Sequence, residues 1–210
     1  HYKEQDIRFD AVYTGYLLGP AQFDLARKAL RRYPDALKVV DPALGDHGQR
    51  YSRITDDMVE RMKELCSLAD LITPNYTESA LLLGQQPDVK PADNTLLASR
   101  LEALAGPKRS VVITSVPDNT GDLEVAGCGP NGKGFYTVPG RFVPESYPGT
   151  GDLFTAAVTG LVLRGFSTEQ AVRHADSFVE VAARATHEEG LDPRHGVCFE
   201  PELYRLTGLV

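Results

Sequence analysis

An α/β fold is what the residue pattern of this chain specifies: a mostly parallel central sheet, helices on both faces and a small antiparallel hairpin at one edge. Three observations carry that reading. Short apolar runs alternate with helical patterns along most of the chain. Strand and helix in strict alternation imply a mostly parallel sheet, and a run such as Phe9–Tyr13 reads as a buried strand. A segment over 115–148, with several glycines and prolines, breaks the alternation with two short strand-like pieces, which suits an antiparallel excursion.

Phe9 to Tyr13 reads as the first strand. Pro20 to about Tyr33 follows as a helix, with proline in its first turn and Phe23, Ala26 and Leu30 on one face. Leu37 to Asp41 is the second strand. Thr55 to Leu68 is a helix with Thr55 as N-cap, Asp56 and Asp57 at the positive end of its dipole, and Met58, Met62, Leu65 and Cys66 at helical spacing. Ala69 to Thr73 is the third strand, 92–105 a helix, and Ser110 to Thr114 the fourth strand. In the excursion, Leu123 to Ala126 and Gly134 to Val138 are the strand-like pieces. Asp152 to Arg164 is a strongly apolar helix that stops at Gly165. A last helix opens with the capping box Ser167-Thr-Glu-Gln170 and runs to about His187. No repeat or linker divides residues 1–210, so one domain is expected.

Composition excludes several function classes. A net charge of −7 argues against a general nucleic-acid surface but leaves room for one local phosphate site. No apolar run is long enough for a membrane helix. Cys66, Cys128 and Cys198 fit no zinc spacing, and the five histidines form no ligand pair, so transition-metal catalysis is not expected. Reduced thiols and the lack of a charged-then-apolar leader suggest a cytoplasmic protein. The sequence opens on His1 rather than Met and runs quickly into a strand, so an N-terminal part of the natural protein is expected to precede it.

Ligands of open parallel sheets sit off the carboxyl ends of the strands. Those ends are polar here: Thr14-Gly-Tyr16, Asp41-Pro-Ala-Leu-Gly-Asp46, Thr73-Pro-Asn-Tyr-Thr-Glu78 and Thr114-Ser115. The sharpest piece is Pro148-Gly-Thr-Gly-Asp-Leu-Phe154. Its glycines allow a tight turn, and the turn leads straight into an apolar helix, so free N–H groups and the helix dipole converge on an anion site. Asp152 there reads as a general base beside a transferring phosphoryl group, with a simple helix N-cap as the competing reading. Asp41 and Asp46 offer oxygen ligands suited to Mg²⁺ carried on ATP or to a monovalent cation, with a strand-end turn former as the competing reading of Asp41 alone. Glu78 either reaches that metal through water or is a solvated or capping glutamate. The P-loop and protein-kinase signatures are both absent.

Taken in order, Val40-Asp-Pro-Ala-Leu-Gly-Asp46, Ile72-Thr-Pro-Asn-Tyr-Thr-Glu78, Val112-Ile-Thr-Ser115 and Gly149-Thr-Gly-Asp-Leu-Phe154 resemble the pyridoxal kinases of the ribokinase-like superfamily. The likeness runs from about Phe9 to Ala183. It implies a ribokinase-like three-layer sandwich, lacking the family's first strands, that uses ATP to phosphorylate the 5′-hydroxymethyl group of pyridoxal, pyridoxine or pyridoxamine. It implies Asp152 as the base and the N–H groups of Gly149, Thr150 and Gly151 as the anion hole. Asp46 then matches the Mg²⁺ position. Asp41 and Thr73, with the Thr114 carbonyl, match a position for K⁺ or Na⁺. Asn75, Glu78, Thr114, Ser115 and Thr150 fall around ATP; Tyr16, Tyr51, Gly149 and Asp152 fall around the vitamer. A homodimer is also implied.

Hydroxymethylpyrimidine kinases are the neighbouring alternative. They carry a cysteine in the Asp152-Leu-Phe154 stretch and lack the Gly45-Asp46 pair, so both features favour the pyridoxal branch. Another ribokinase-like kinase, or an idle vitamer-binding protein on the same fold, remains open; Asp46 and Asp152 argue against the idle protein.

Overall fold

A computed structural model describes residues 7–140, 143 and 147–209. Residues 1–6, where the sequence opens, and 141–142 and 144–146 within the excursion lie outside the described residues. The main sheet has strands β1 (Ala11–Thr14), β2 (Leu37–Val40), β5 (Leu71–Ile72), β6 (Ser110–Pro117), β7 (Leu123–Cys128) and β8 (Tyr136–Pro139), side by side in that order. β1, β2, β5 and β6 are parallel, while β6–β7 and β7–β8 are antiparallel. The mostly parallel sheet and its antiparallel edge hairpin are thus as the residue pattern requires. A separate two-stranded ribbon, β3 (Gly45–Asp46) with β4 (Gln49–Arg50), follows β2.

Continuous apolar strands are explained by the two cores. Val40, Ile72, Val111, Ile113 and Ala126 face one side, where they pack with α1 (Pro20–Arg32), α2 (Asp56–Leu68), α3 (Tyr76–Leu82) and α4 (Asn94–Leu104). Val39, Leu71, Val112 and Val125 face the other, against α5 (Thr150–Leu163) and α6 (Thr168–Glu188). Neighbouring residues on one strand therefore enter opposite cores, and both faces demand apolar side chains. A short α7 (Tyr204–Thr207) closes the described chain against α6.

Local signals set most helix starts. Pro20 is in the first turn of α1, Thr55 accepts the Met58 N–H, and Ser167 with Gln170 forms a full capping box. Each such cap contributes about 1 kcal/mol.

Several boundaries differ from the sequence expectation by a residue or two, and four differences have a clear physical cause. The third strand shrinks to Leu71–Ile72, because Ala69 still returns its N–H to α2 and Pro74 has no N–H to extend a ladder. The fourth strand continues to Pro117 across a bulge between Ile113 and Val116, where Ser115 takes φ of 55°. The stretch from Tyr76 to Leu82, to which the residue pattern assigns no element, is a helix capped by Asn75 and Glu78. Finally, α5 begins at Thr150 with Gly149 as its N-cap, so Asp152 is no N-cap: it stands in the first helical turn.

Candidate active site

Gly149 adopts φ of 88°, the left-handed region that glycine alone enters at little cost, and this turns the chain into α5. The first intrahelical bond runs from Leu153 N–H to the Gly149 carbonyl at 2.9 Å. The amides just before it have no helical acceptor. Thr150 N–H makes only a long 3.5 Å contact with the Tyr147 carbonyl, and those of Gly151 and Asp152 make no hydrogen bond among the described residues. A Cβ placed on Gly151 would meet nothing within 4 Å, so the chain itself does not crowd this turn. What results is an open, electropositive helix start with a carboxylate on its first turn. Replacing Gly149 by Ala is expected to cost about 1–2 kcal/mol, from the left-handed backbone alone. Chemical denaturation would measure that loss, and an unchanged midpoint would speak against the strained turn.

Asp152 points toward the end of β1. Its Oδ1 accepts from the Tyr13 hydroxyl at 3.2 Å, and the same hydroxyl lies 3.3 Å from Asp41 Oδ2. Gly15 makes room for this approach: a Cβ there would lie 3.3 Å from Asp152 Oδ1. Asp41, 8% exposed at the end of β2, is pushed up to about 7 by burial and then by the Asp152 charge, against the opposing Tyr13 hydrogen bond. Burial and both carboxylates hold the Tyr13 phenol well above its ordinary value, so it stays protonated.

Glu78 is buried (3% exposed) and shares its oxygens between backbone amides: Oε1 accepts from Leu44 and Oε2 from Asn75, completing the cap of α3. The capping reading of Glu78 is thus met, while the solvated one is not. Burial and then the Asp41 charge raise its carboxyl well above the usual range. The Asn75 side-chain amide donates to the Gly45 carbonyl, which ties α3 to the ribbon that carries Asp46. That ribbon leaves no space at Gly45, where a Cβ would fall 2.4 Å from the Gln49 carbonyl oxygen. Thr73 Oγ1 and Thr155 Oγ1 are 2.9 Å apart and buried, linking β5 to α5. Thr114 bridges Asn75 in the strand direction at the β6 bulge, beside Ser115.

The phosphomethylpyrimidine kinase family model matches residues 3–197. The chain belongs to that family. The curated relatives it matches are named pyridoxal kinases, and its fold is ribokinase-like. The pyridoxine/pyridoxal/pyridoxamine kinase of Bordetella pertussis is 32% identical over 187 residues, which cover 85% of this chain and 64% of the relative. A Bacteroides thetaiotaomicron protein described as a phosphomethylpyrimidine kinase, crystallised with pyridoxal, is 35% identical with a TM-score of 0.89. That match covers 98% of this chain and 73% of the other. Pyridoxal kinase from Lactobacillus plantarum is 30% identical with a TM-score of 0.89, covering 100% of this chain and 74% of the other. The chain thus spans just under two thirds of the length of the curated Bordetella relative.

In this member of the phosphomethylpyrimidine kinase family, a cavity of about 540 Å³ opens beside the Gly149 turn. Asp46, Thr114, Ser115, Thr150 and Gly151 line it, so five of the residues singled out from sequence meet there. Asp41, Thr73, Asn75, Glu78, Gly149 and Asp152 stand outside that lining, at the strand ends and the helix start. Tyr16 and Tyr51, both at the surface, meet edge to face with centroids 6.2 Å apart. Burial, then Glu78, Asp46 and Asp41, push the Tyr51 phenol up to about 12.

Among the described residues no three His, Cys, Asp or Glu side chains gather as a metal site. Cations nevertheless fit the donors. Asp41 and Glu78 are buried carboxylates with no Lys, Arg or His ion pair among the described residues. The Asp46 carboxylate, 41% exposed and accepting the His47 N–H, borders the cavity.

Sequence reasoning missed Tyr13, Thr155 and Asp176. Tyr13 lies one residue before the polar strand end that was read. Asp176 on α6 lines the cavity and is pushed up to about 6 by burial and then by Glu180. A carboxylate four residues after Val172 on the flank of an apolar stripe was the available signal.

Proposed function

We propose that the protein transfers the γ-phosphoryl group of ATP to the 5′-hydroxymethyl group of a vitamin B6 vitamer. One observation carries the proposal: the Asp152 carboxylate stands on the first turn of a helix whose leading amides are open. That is the pairing phosphoryl transfer needs, a proton acceptor for the attacking alcohol next to donors for the charged phosphoryl oxygens.

In this reading Asp152 accepts the hydroxyl proton as the alcohol oxygen bonds to the γ-phosphorus, and the bond to the ADP oxygen breaks. The amides of Gly149, Thr150 and Gly151 hold the equatorial oxygens. The neighbouring cavity has the size and the apolar walls (Val89, Leu123, Val179) to take a nucleotide, with Thr114, Ser115 and Thr150 toward its phosphates. Asn75 and Glu78 hold the wall between ribbon and strand ends. Asp46 would hold Mg²⁺, and Asp41 with Thr73 a monovalent cation; such ions draw charge from the phosphate oxygens. Tyr16 and Tyr51 supply an aromatic rim for a pyridine ring.

The Bacteroides relative bound to pyridoxal supports a B6 vitamer as acceptor. The description of the matching family model supports a second reading, a hydroxymethylpyrimidine alcohol. Side-by-side turnover of ATP with pyridoxal, pyridoxamine and hydroxymethylpyrimidine, using the full-length protein, separates the two. Phosphorylated B6 vitamer is the expected product. Product from the pyrimidine alone would reverse the order of the readings.

A further inference from the structure

We infer that Tyr13 is a positioning residue for phosphoryl transfer: its hydroxyl holds Oδ1 of Asp152 so that Oδ2 faces the acceptor alcohol. The inference rests on the reading of Asp152 as the base. It starts from the placement of Asp152, an exposed carboxylate on a helix start, where nothing in α5 itself fixes its side chain. Catalysis tolerates little wandering of a proton acceptor, so something outside the helix must hold it.

Tyr13 is built for that task. Its half-buried ring packs against the core between the sheet and α5–α6, which makes the hydroxyl a donor on a fixed support. The hydroxyl reaches Asp152 Oδ1 at 3.2 Å, and Gly15 lets that same oxygen settle against the β1 end without a side chain in the way. Oδ2 makes no hydrogen bond among the described residues, so one oxygen is anchored and the other is left for the proton. Asp41 Oδ2 lies 3.3 Å from the same phenolic oxygen. A phenol carries one hydrogen, so it can donate to only one of the two carboxylates at a time. The phenol therefore stands between the end of β2 and the base, nearer to Asp152 Oδ1 than to Asp41 Oδ2.

The test is a double-variant cycle in the full-length protein. Tyr13→Phe keeps the ring and removes only the hydroxyl. The expected result is a fall in kcat of roughly 10-fold, the rate equivalent of one hydrogen bond to a charged acceptor, with KM for ATP and for the alcohol held within about twofold. In an Asp152→Asn background the same change should cost less than about twofold, because a residue acting through Asp152 has nothing left to position. Equal losses in both backgrounds would overturn the inference. A crystal structure of Tyr13→Phe supplies an arm independent of turnover: the Asp152 carboxylate should leave its place beside Gly15, and an unmoved carboxylate would overturn the positioning role. A wild type inactive on every alcohol would instead sink the kinase reading, and the crystal arm would then decide the placement of Asp152 by itself.

Discussion

Asp152→Asn is expected to lower kcat of the full-length protein by about 10²- to 10⁴-fold, the usual contribution of a general base. Asparagine keeps the size of the side chain and an oxygen able to accept from Tyr13, so the local packing survives. What it lacks is the basicity to take the alcohol proton. KM for ATP should stay within a few-fold, because the amides of Gly149–Gly151 belong to the backbone and are untouched. Steady-state kinetics with ATP and pyridoxal measure both quantities. Near-normal turnover in the variant would remove Asp152 from the chemistry. A large rise in KM for ATP with kcat preserved would recast it as a binding residue.

The second large effect is on stability, and it depends on pH. Asp41 in the folded protein keeps its proton up to about 7, whereas an aspartate in the unfolded chain releases it near 3.8. Between those values the native state binds more protons than the unfolded state, so this group costs stability as pH rises through the window. Below about pH 4 both states are protonated and the cost vanishes. Asp41→Asn stays neutral throughout. Its advantage over the wild type should therefore be near zero at about pH 3.5, grow up to about pH 7, and level off at no more than about 4 kcal/mol. That ceiling is reached only if Glu78 and Asp152 do not adjust. For a domain of this size the gain in Tm is several degrees. Calorimetry of the two proteins from pH 4 to 9, without added K⁺ or Na⁺, follows the gap directly. Adding either ion at pH 8 should raise Tm of the wild type more than that of the variant. A gap that stays flat with pH would show that the Asp41 charge carries no such cost.

How much of this was legible beforehand follows from the range of each interaction. Elements fixed by local chemistry were readable: Pro20, Thr55 and the Ser167–Gln170 box start their helices where the residue pattern places them. So was the two-faced sheet, because residues such as Val39 and Val40 must each satisfy a different core. The helix at Tyr76 escaped because the proline before Asn75 reads as a turn, although Asn75 and Glu78 carry a capping-box spacing. The start of α5 was placed late because glycine has poor helix propensity, and only the left-handed Gly149 reveals where the helix begins. Within the site, the strand ends pointed to Asp41, Asp46 and Thr73, and the glycine turn pointed to Asp152. They could not point to Tyr13 or Thr155, whose partners are distant in sequence and become visible only once α5 lies over the sheet.

That same distance sets the order of events when the chain folds. α5 is fastened to β5 by a bond spanning 82 residues and to β1 by one spanning 139. Contacts of such long range carry a loop-closure entropy that ordering of the intervening chain reduces. The parallel strands and their helices can assemble while Asp152 is still far from Tyr13, and the pocket for the phosphoryl group closes last. Recovery of ligand binding during refolding should therefore lag behind recovery of secondary structure.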